Sequence, residues 1–236
     1  MSTTLEGTPN PEAPNPQLPI VQKLRVRYAK RGRLRFTSHR DFGRAFERAV
    51  RRAKVPIGYS SGFSPHPKIS YANAAPTGAA SEAEFLEIGL TRECDPEAVR
   101  AGLDSALPPG LDIVAVVPAT PGTFADRLEA SLWSIDLPGS TGLEEAAAAF
   151  LAAAEVAVER MTKRGLRDID VRGAVGSLVV DGARVEVVVR SMIPTVRPDD
   201  VVGALRKFGA EVPGAAISTR VEQGPLVDGV VVDPLV

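Results

Sequence analysis

The stretch "KLRVRYAKRGRLRFTSHRDFGRAFERAVRRAKV" (Lys23–Val55) decides the fold. In its first part Leu24, Val26 and Tyr28 alternate with Arg25 and Arg27, and a period of two is that of a strand with one apolar face. Lys30-Arg31-Gly32 reads as a bend, after which Leu34 and Phe36 resume the alternation and predict a second length of strand. The pattern then changes. Ser38 and Asp41 have the spacing of a capping box, with Asp in place of the usual Glu. Phe42, Ala45, Phe46, Ala49 and Val50 recur at helical spacing, with Arg40, Arg44, Arg48 and Arg52 as a stripe beside them. Pro56 and Gly58 end the helix.

Outward from this stretch, "KISYANA" (Lys68–Ala74) and "EFLEIGL" (Glu84–Leu90) read as strands. Asp95-Pro96 opens a helix with proline in its first turn, and "LDIVAVVPA" (Leu111–Ala119) is a further strand. The order β-α-β-β-α-β is that of a ferredoxin-like unit. The second half predicts the same order. "SLWSIDL" is a strand, Leu143–Arg164 a long alanine-rich helix, and "DIDVRGAVGSLVV" and "ARVEVVVRS" are strands joined by a hairpin turn at Asp181-Gly182. "RPDDVVGALRKFG" is a helix with Gly209 after its end, and "AISTRVEQ" closes the series. The expectation is an α+β protein of two tandem ferredoxin-like (βαββαβ) units with antiparallel sheets, a basic domain at 21–119 and a second at 120–236, joined by Pro118–Ala130. Residues 1–20 carry five prolines between Pro9 and Pro19 and almost nothing to bury, and read as a disordered leader.

The N-terminus has neither the basic nor the apolar region of a secretory signal, and no run of eighteen apolar residues predicts a membrane span. Cys94 is the single cysteine, so no internal disulfide can form, which fits a reducing cytoplasm. Cys94 has no base beside it in sequence and reads as structural. The formal charge of −1 hides an asymmetry. Between Val21 and Lys68 there are 14 lysines and arginines, half of the chain's 28, against two acids, Asp41 and Glu47. Arginine predominates over lysine there, which favours bidentate contact with phosphate. A solubilising helix face normally mixes acids with bases, so the stripe predicts an anionic partner, and nucleic acid is the commonest.

"YSSGFSPHPKISYANAAPTG" (Tyr59–Gly78) holds one of the two histidines, His66, between Pro65 and Pro67. The prolines fix the backbone, so the imidazole is held at little further entropic cost. Phe63 offers a ring on which a base could stack. His39, the other histidine, lies in the helix N-terminal box, where a capping role is the simpler reading. No GxGxxG or GxxxxGK[ST] motif indicates a nucleotide fold, and two histidines 27 residues apart without HxxxH or CxxC spacing give no metal site. No cofactor is expected.

The "SHRD…FERAVRRA…P…YS.GF.PHP.IS" pattern resembles the bacterial radical-SAM-linked proteins, a domain of unknown function, over most of Lys23 to about Phe208. The resemblance implies a protein fused to, or encoded beside, a B12-type radical SAM protein, or encoded beside a ribonuclease E/G gene, and hence a link to RNA. A radical SAM catalyst holds its cluster with three cysteines. With Cys94 alone, this chain is expected to be an accessory and not that enzyme. Tandem ferredoxin-like halves with a basic face are also similar to CRISPR repeat-processing endonucleases, at the level of fold alone.

The sequence thus predicts a cytoplasmic, non-catalytic RNA-binding protein acting with a radical SAM enzyme in tRNA or rRNA modification or processing, with ribonuclease E/G as a further partner and no membrane association. Arg33, Arg35, Arg40, Arg44 and Arg48 would hold phosphates, and His39, Phe63, His66 and Lys68 would touch sugar or base. The alternatives are a metal-independent RNA endonuclease, with His39 and His66 as base and acid and Lys68 stabilising the transition state, and a protein-binding scaffold.

Overall fold

The computed structural model describes residues 18–236 apart from 62, 163 and 164. The expected leader therefore lies outside the described residues up to position 17. Ile20, within its last residues, packs over Gly58 and Gly89, and a Cβ added at Gly58 would fall 2.2 Å from the Ile20 Cδ1.

The first half runs β1 (Gln22–Lys30), α1 (His39–Arg52), β2 (Ile69–Ala72), β3 (Ala80–Leu90), α2 (Pro96–Ala106) and β4 (Leu111–Pro118). The second runs β5 (Ala130–Asp136), α3 (Leu143–Ala152), β6 (Ala157–Thr162), β7 (Gly165–Asp170), β8 (Val175–Asp181), β9 (Arg184–Arg190), α4 (Pro198–Lys207) and β10 (Ile217–Gly224). A short hairpin, β11 (Leu226–Val227) and β12 (Val230–Val231), follows. The protein is α+β, with a mixed sheet. Its strands run in the order β4-β1-β3-β10-β5-β9-β8, with β2 also on β3. Strand β3 is long enough to serve two neighbours on one side. Phe85 to Ile88 pair with β2, while Ala80 and Ser81 pair in parallel with β10. The expected pair of antiparallel sheets is thus one shared sheet, and β3–β10 is its parallel seam.

The apolar period read from the sequence sets the cores. Leu24, Val26 and Tyr28 of β1 join Leu86, Ile88 and Leu90 of β3 under α1 and α2, with Phe42, Phe46 and Leu103 among them. A second cluster sets Trp133, Ile135 and Val187 under α3 and α4. The segment between the halves also packs: Phe124 and Leu128 cover Ala83 and Phe85 on the back of the first half's sheet.

Three further expectations change. Leu34 and Phe36 do not continue a strand, because Gly32 takes a left-handed φ of 54° and residues Gly32–Phe36 form a 3-10 turn. The turn is tied down where Arg31 N donates to Gly110 O at 2.8 Å. The helix expected to reach Arg164 stops at Ala152. Beyond it Val156 and Val158 are both buried, and residues two apart cannot share a helix face, so strand β6 forms and pairs with β7. The single strand expected over "DIDVRGAVGSLVV" is divided between β7 and β8 by a turn after Asp170, whose carboxylate accepts from Gly173 N at 3.2 Å. The Asp181-Gly182 hairpin and the helix ending at Gly209 (φ 96°) form as expected.

Candidate nucleic-acid interface

The 14 basic residues of Val21–Lys68 divide into two groups by what they touch. Those of β1 are engaged by the fold. Arg25 is 1% exposed, donates to Thr120 Oγ1 at 2.6 Å and to the Thr120 carbonyl at 2.8 Å, and lies 4.6 Å over the Phe124 ring. Arg27 donates to both oxygens of Glu222 at 3.1 Å and lies 3.6 Å from Asp233. Lys23 pairs with Glu87 at 3.2 Å. Lys30 is buried, with its Nζ 3.5 and 3.4 Å from the Ala75 and Pro76 carbonyls, and burial lowers its pKa. Just past the strand, Arg31 is paired with Glu82 and Asp112.

The second group turns outward. Ser38 caps α1: its Oγ accepts from Asp41 N at 3.2 Å and donates to the Asp41 carboxylate at 2.6 Å. Phe42, one turn in, stacks on Tyr28 at 4.1 Å between ring centroids. Cap and stack together fix the helix's rotation on the sheet, so Phe42, Phe46, Ala49 and Val50 are buried. Arg40, Arg44, Arg48, Arg51 and Arg52 are exposed and, among the described residues, make no ion pair. Arg33 and Arg35 stand in the turn just before the helix. Arg35 lies 4.7 Å over the ring of Phe36, which is 60% exposed. The sequence reading placed Phe36 in a strand. The exposed arginine–aromatic pair becomes visible only once Gly32 is seen to break that strand.

The two histidines have different surroundings. His39, at the first position of α1, sets its ring edge-on to Tyr71 at 4.7 Å, on the helix side of β2. His66 lines a groove of about 440 Å³ with Ser60, Lys68, Ser70, Lys23 and Glu87, which His39 does not line. Both His66 and Lys68 are exposed. The loop is closed by its main chain: Ser60 N donates to His66 O at 2.8 Å, and His66 N donates to Ser60 Oγ at 3.0 Å. The imidazole itself has no partner within the described residues. Phe63 stands fully in solvent, at 106% exposure, near the loop's tip.

One motif escaped the sequence reading. Gly58-Tyr59-Ser60-Ser61-Gly62 has the GxSxG spacing of a nucleophile elbow. That chemistry needs a strand-to-helix turn, whereas this segment leads into β2, and the Ser60 hydroxyl is occupied as an acceptor from the His66 backbone. Among the described residues no group of three histidine, cysteine or acidic side chains could hold a metal ion. Nor is any described helix long and apolar enough to cross a membrane.

With this geometry in place, comparison gives a family. The family described as "Uncharacterized protein conserved in bacteria (DUF2344)" matches residues 23–198. The chain belongs to that family. The match takes in β1 and α1 with all of their basic residues, the His66 loop and the sheet as far as the start of α4. No curated protein matches the chain.

Proposed function

We propose that this chain is a non-catalytic RNA-binding accessory protein that works beside a radical SAM enzyme in tRNA or rRNA modification or processing. The observation that carries the RNA reading is the row of unpaired arginines on α1 and its preceding turn. A cluster of like charges raises the free energy of the folded state by self-repulsion, and a polyanion relieves it. Arg33, Arg35, Arg40, Arg44 and Arg48 hold phosphates on this reading, and the exposed rings of Phe36 and Phe63 are platforms on which unpaired bases stack. His66 and Lys68, pre-set by the proline-flanked loop, touch sugar or base. The radical SAM partner is suggested by the resemblance of the "SHRD…PHP" pattern. We also read each half as one ferredoxin-like unit, on the strength of the orders β4-β1-β3-β2 and β10-β5-β9-β8. The endonuclease alternative is disfavoured by the separation of His39 from the His66 groove.

The test is titration of a labelled single-stranded RNA at two salt concentrations. For about four neutralised phosphates, affinity should fall roughly twentyfold between about 50 and 150 mM salt. Arg44→Glu with Arg48→Glu should reduce it further without changing the melting temperature. His66→Ala should weaken binding about ten- to hundredfold. Binding that ignores salt, or no binding at the lower salt, would remove the RNA reading. Cleavage of the RNA by wild-type protein but not by His66→Ala would restore the nuclease.

A further inference from the structure

A cavity of about 640 Å³ opens where the two halves meet, lined by Ser131 and Trp133 of β5, Arg220 and Gln223 of β10, Arg190 at the end of β9 and Arg197 just before α4. Its volume is that of sites that take small molecules, about 300–1,000 Å³. None of the arginines of α1 lines it, so it is distinct from the candidate RNA surface.

Arg220 is the unusual member. It is 5% exposed, and its Nη1 is fully engaged, donating to the Asn73 carbonyl at 2.7 Å, Glu84 at 3.0 Å and Gln223 at 3.1 Å. Its Nε is buried without any partner, and its hydrogen bonds to described residues all leave from Nη1, none from Nη2. Leaving a buried donor unmade is costly. Elsewhere in the molecule the same Nε–Nη2 edge is filled by a carboxylate: Glu82 takes it on Arg31 and Glu97 on Arg100. Arg25, whose Nε also lacks a hydrogen bond, at least has Glu87 at 3.6 Å. At Arg220 that edge has no anion. The charge around it points the same way. Glu84 is the carboxylate that faces both Arg220 and Lys30, so this buried cluster carries an excess positive charge. Arg190 and Arg197 add two exposed cations without ion pairs, against the single acid of the lining, Asp126.

We propose that this cavity binds the phosphate monoester of a nucleotide-sized small molecule. The free edge of Arg220 takes two phosphate oxygens in the bidentate manner of a guanidinium, the Ser131 and Gln223 side chains contribute polar contacts, and Arg190 and Arg197 supply the charge a dianion requires. A monocarboxylate would leave most of that charge unmatched.

Trp133 is the chain's single tryptophan, and Arg220 lies 4.9 Å over its ring, so its fluorescence reports on the cavity directly. The full-length protein is titrated with 5′-AMP, inorganic phosphate and adenosine. A saturable change with 5′-AMP, a weaker one with phosphate and none with adenosine is expected. Arg190→Gln and Arg197→Gln, both at exposed positions, should each weaken 5′-AMP about tenfold or more while leaving the melting temperature in place. Arg220→Lys keeps a charge beside Glu84 but loses the two-pronged edge, and should weaken it at least as much. The proposal is overturned by the absence of a saturable response to 5′-AMP at millimolar concentration, by adenosine binding as well as 5′-AMP, or by indifference to both rim substitutions.

Discussion

Strand β1 and helix α1 follow one another in the chain and are both rich in basic residues, yet they use them in opposite ways. Arg25, Arg27 and Lys30 end among backbone carbonyls, carboxylates and aromatic rings, whereas Arg40, Arg44 and Arg48 end in solvent. A strand inside a wide sheet has two covered faces. Here the arginine face of β1 is roofed by Phe124, by Thr120 and by the acids of β3 and β10. A surface helix has one covered face, and in α1 the aromatics occupy it. The lesson concerns charge counts: 14 bases in a segment say little about a binding surface until those consumed by the fold are subtracted.

The comparison can be broken or sharpened by stability measurements. The largest effect is expected at Glu84, the carboxylate that faces both Lys30 and Arg220. Glu84→Ala strands two buried cations and should cost about 3–5 kcal/mol in urea unfolding. A loss no larger than that of a surface substitution would show that the buried cluster is better hydrated than its geometry implies.

The next effect sets the two groups side by side. Arg25→Ala leaves the Thr120 carbonyl without its donor and the Thr120 hydroxyl with Arg127 alone at 3.4 Å, and it opens space over Phe124, for about 1–3 kcal/mol. Arg48→Ala, chemically the same change at an exposed position of α1, should stay within about 0.5 kcal/mol. Equal costs would erase the distinction between structural and available arginines.

The smallest effect concerns what holds α1 to the sheet. Burial, followed by the nearby Glu47 carboxylate, pushes Tyr71 up to about 12, and burial, followed by Glu84, holds Tyr28 well above its ordinary value. Both folded-state values are raised, so the fold favours the neutral phenols. Their contribution is complete below the unfolded tyrosine value of about 10 and is lost as pH rises through the folded values. The melting temperature should therefore fall more steeply above about pH 10 in the wild type than in Tyr71→Phe. Identical slopes would mean that Tyr71 is not part of the seat of α1.

Much of the fold was legible locally. Period two in β1, the Ser38–Asp41 cap, the Asp181-Gly182 turn and Gly209 after the end of α4 are short-range signals, and each produced the element expected of it. The misses share one cause. Alanine-rich sequence favours helix beyond Ala152, but burying Val156 and Val158 against β7 outweighs that preference. Phe36 looked like the end of a strand because nothing local says that Gly32 will turn left-handed where Arg31 is anchored to Gly110.

The candidate site divides in the same way. The sequence by itself determined the basic stripe of α1, since helical spacing puts Arg40, Arg44 and Arg48 on one side whatever the helix packs against. It also determined the proline clamp around His66, because proline restricts its own backbone without help from neighbours. Only the tertiary structure decided that Arg25 and Arg27 serve the fold, that His39 and His66 line different surfaces, and that Arg220 waits beside Trp133 in a cavity between the halves. The first of those outcomes depends on partners 55 to 195 residues distant, Glu82 and Glu222 for Arg27. Ion pairing and burial are set by which strands become neighbours, and neighbours in a sheet are chosen by the whole core, not by the residues that end up facing each other.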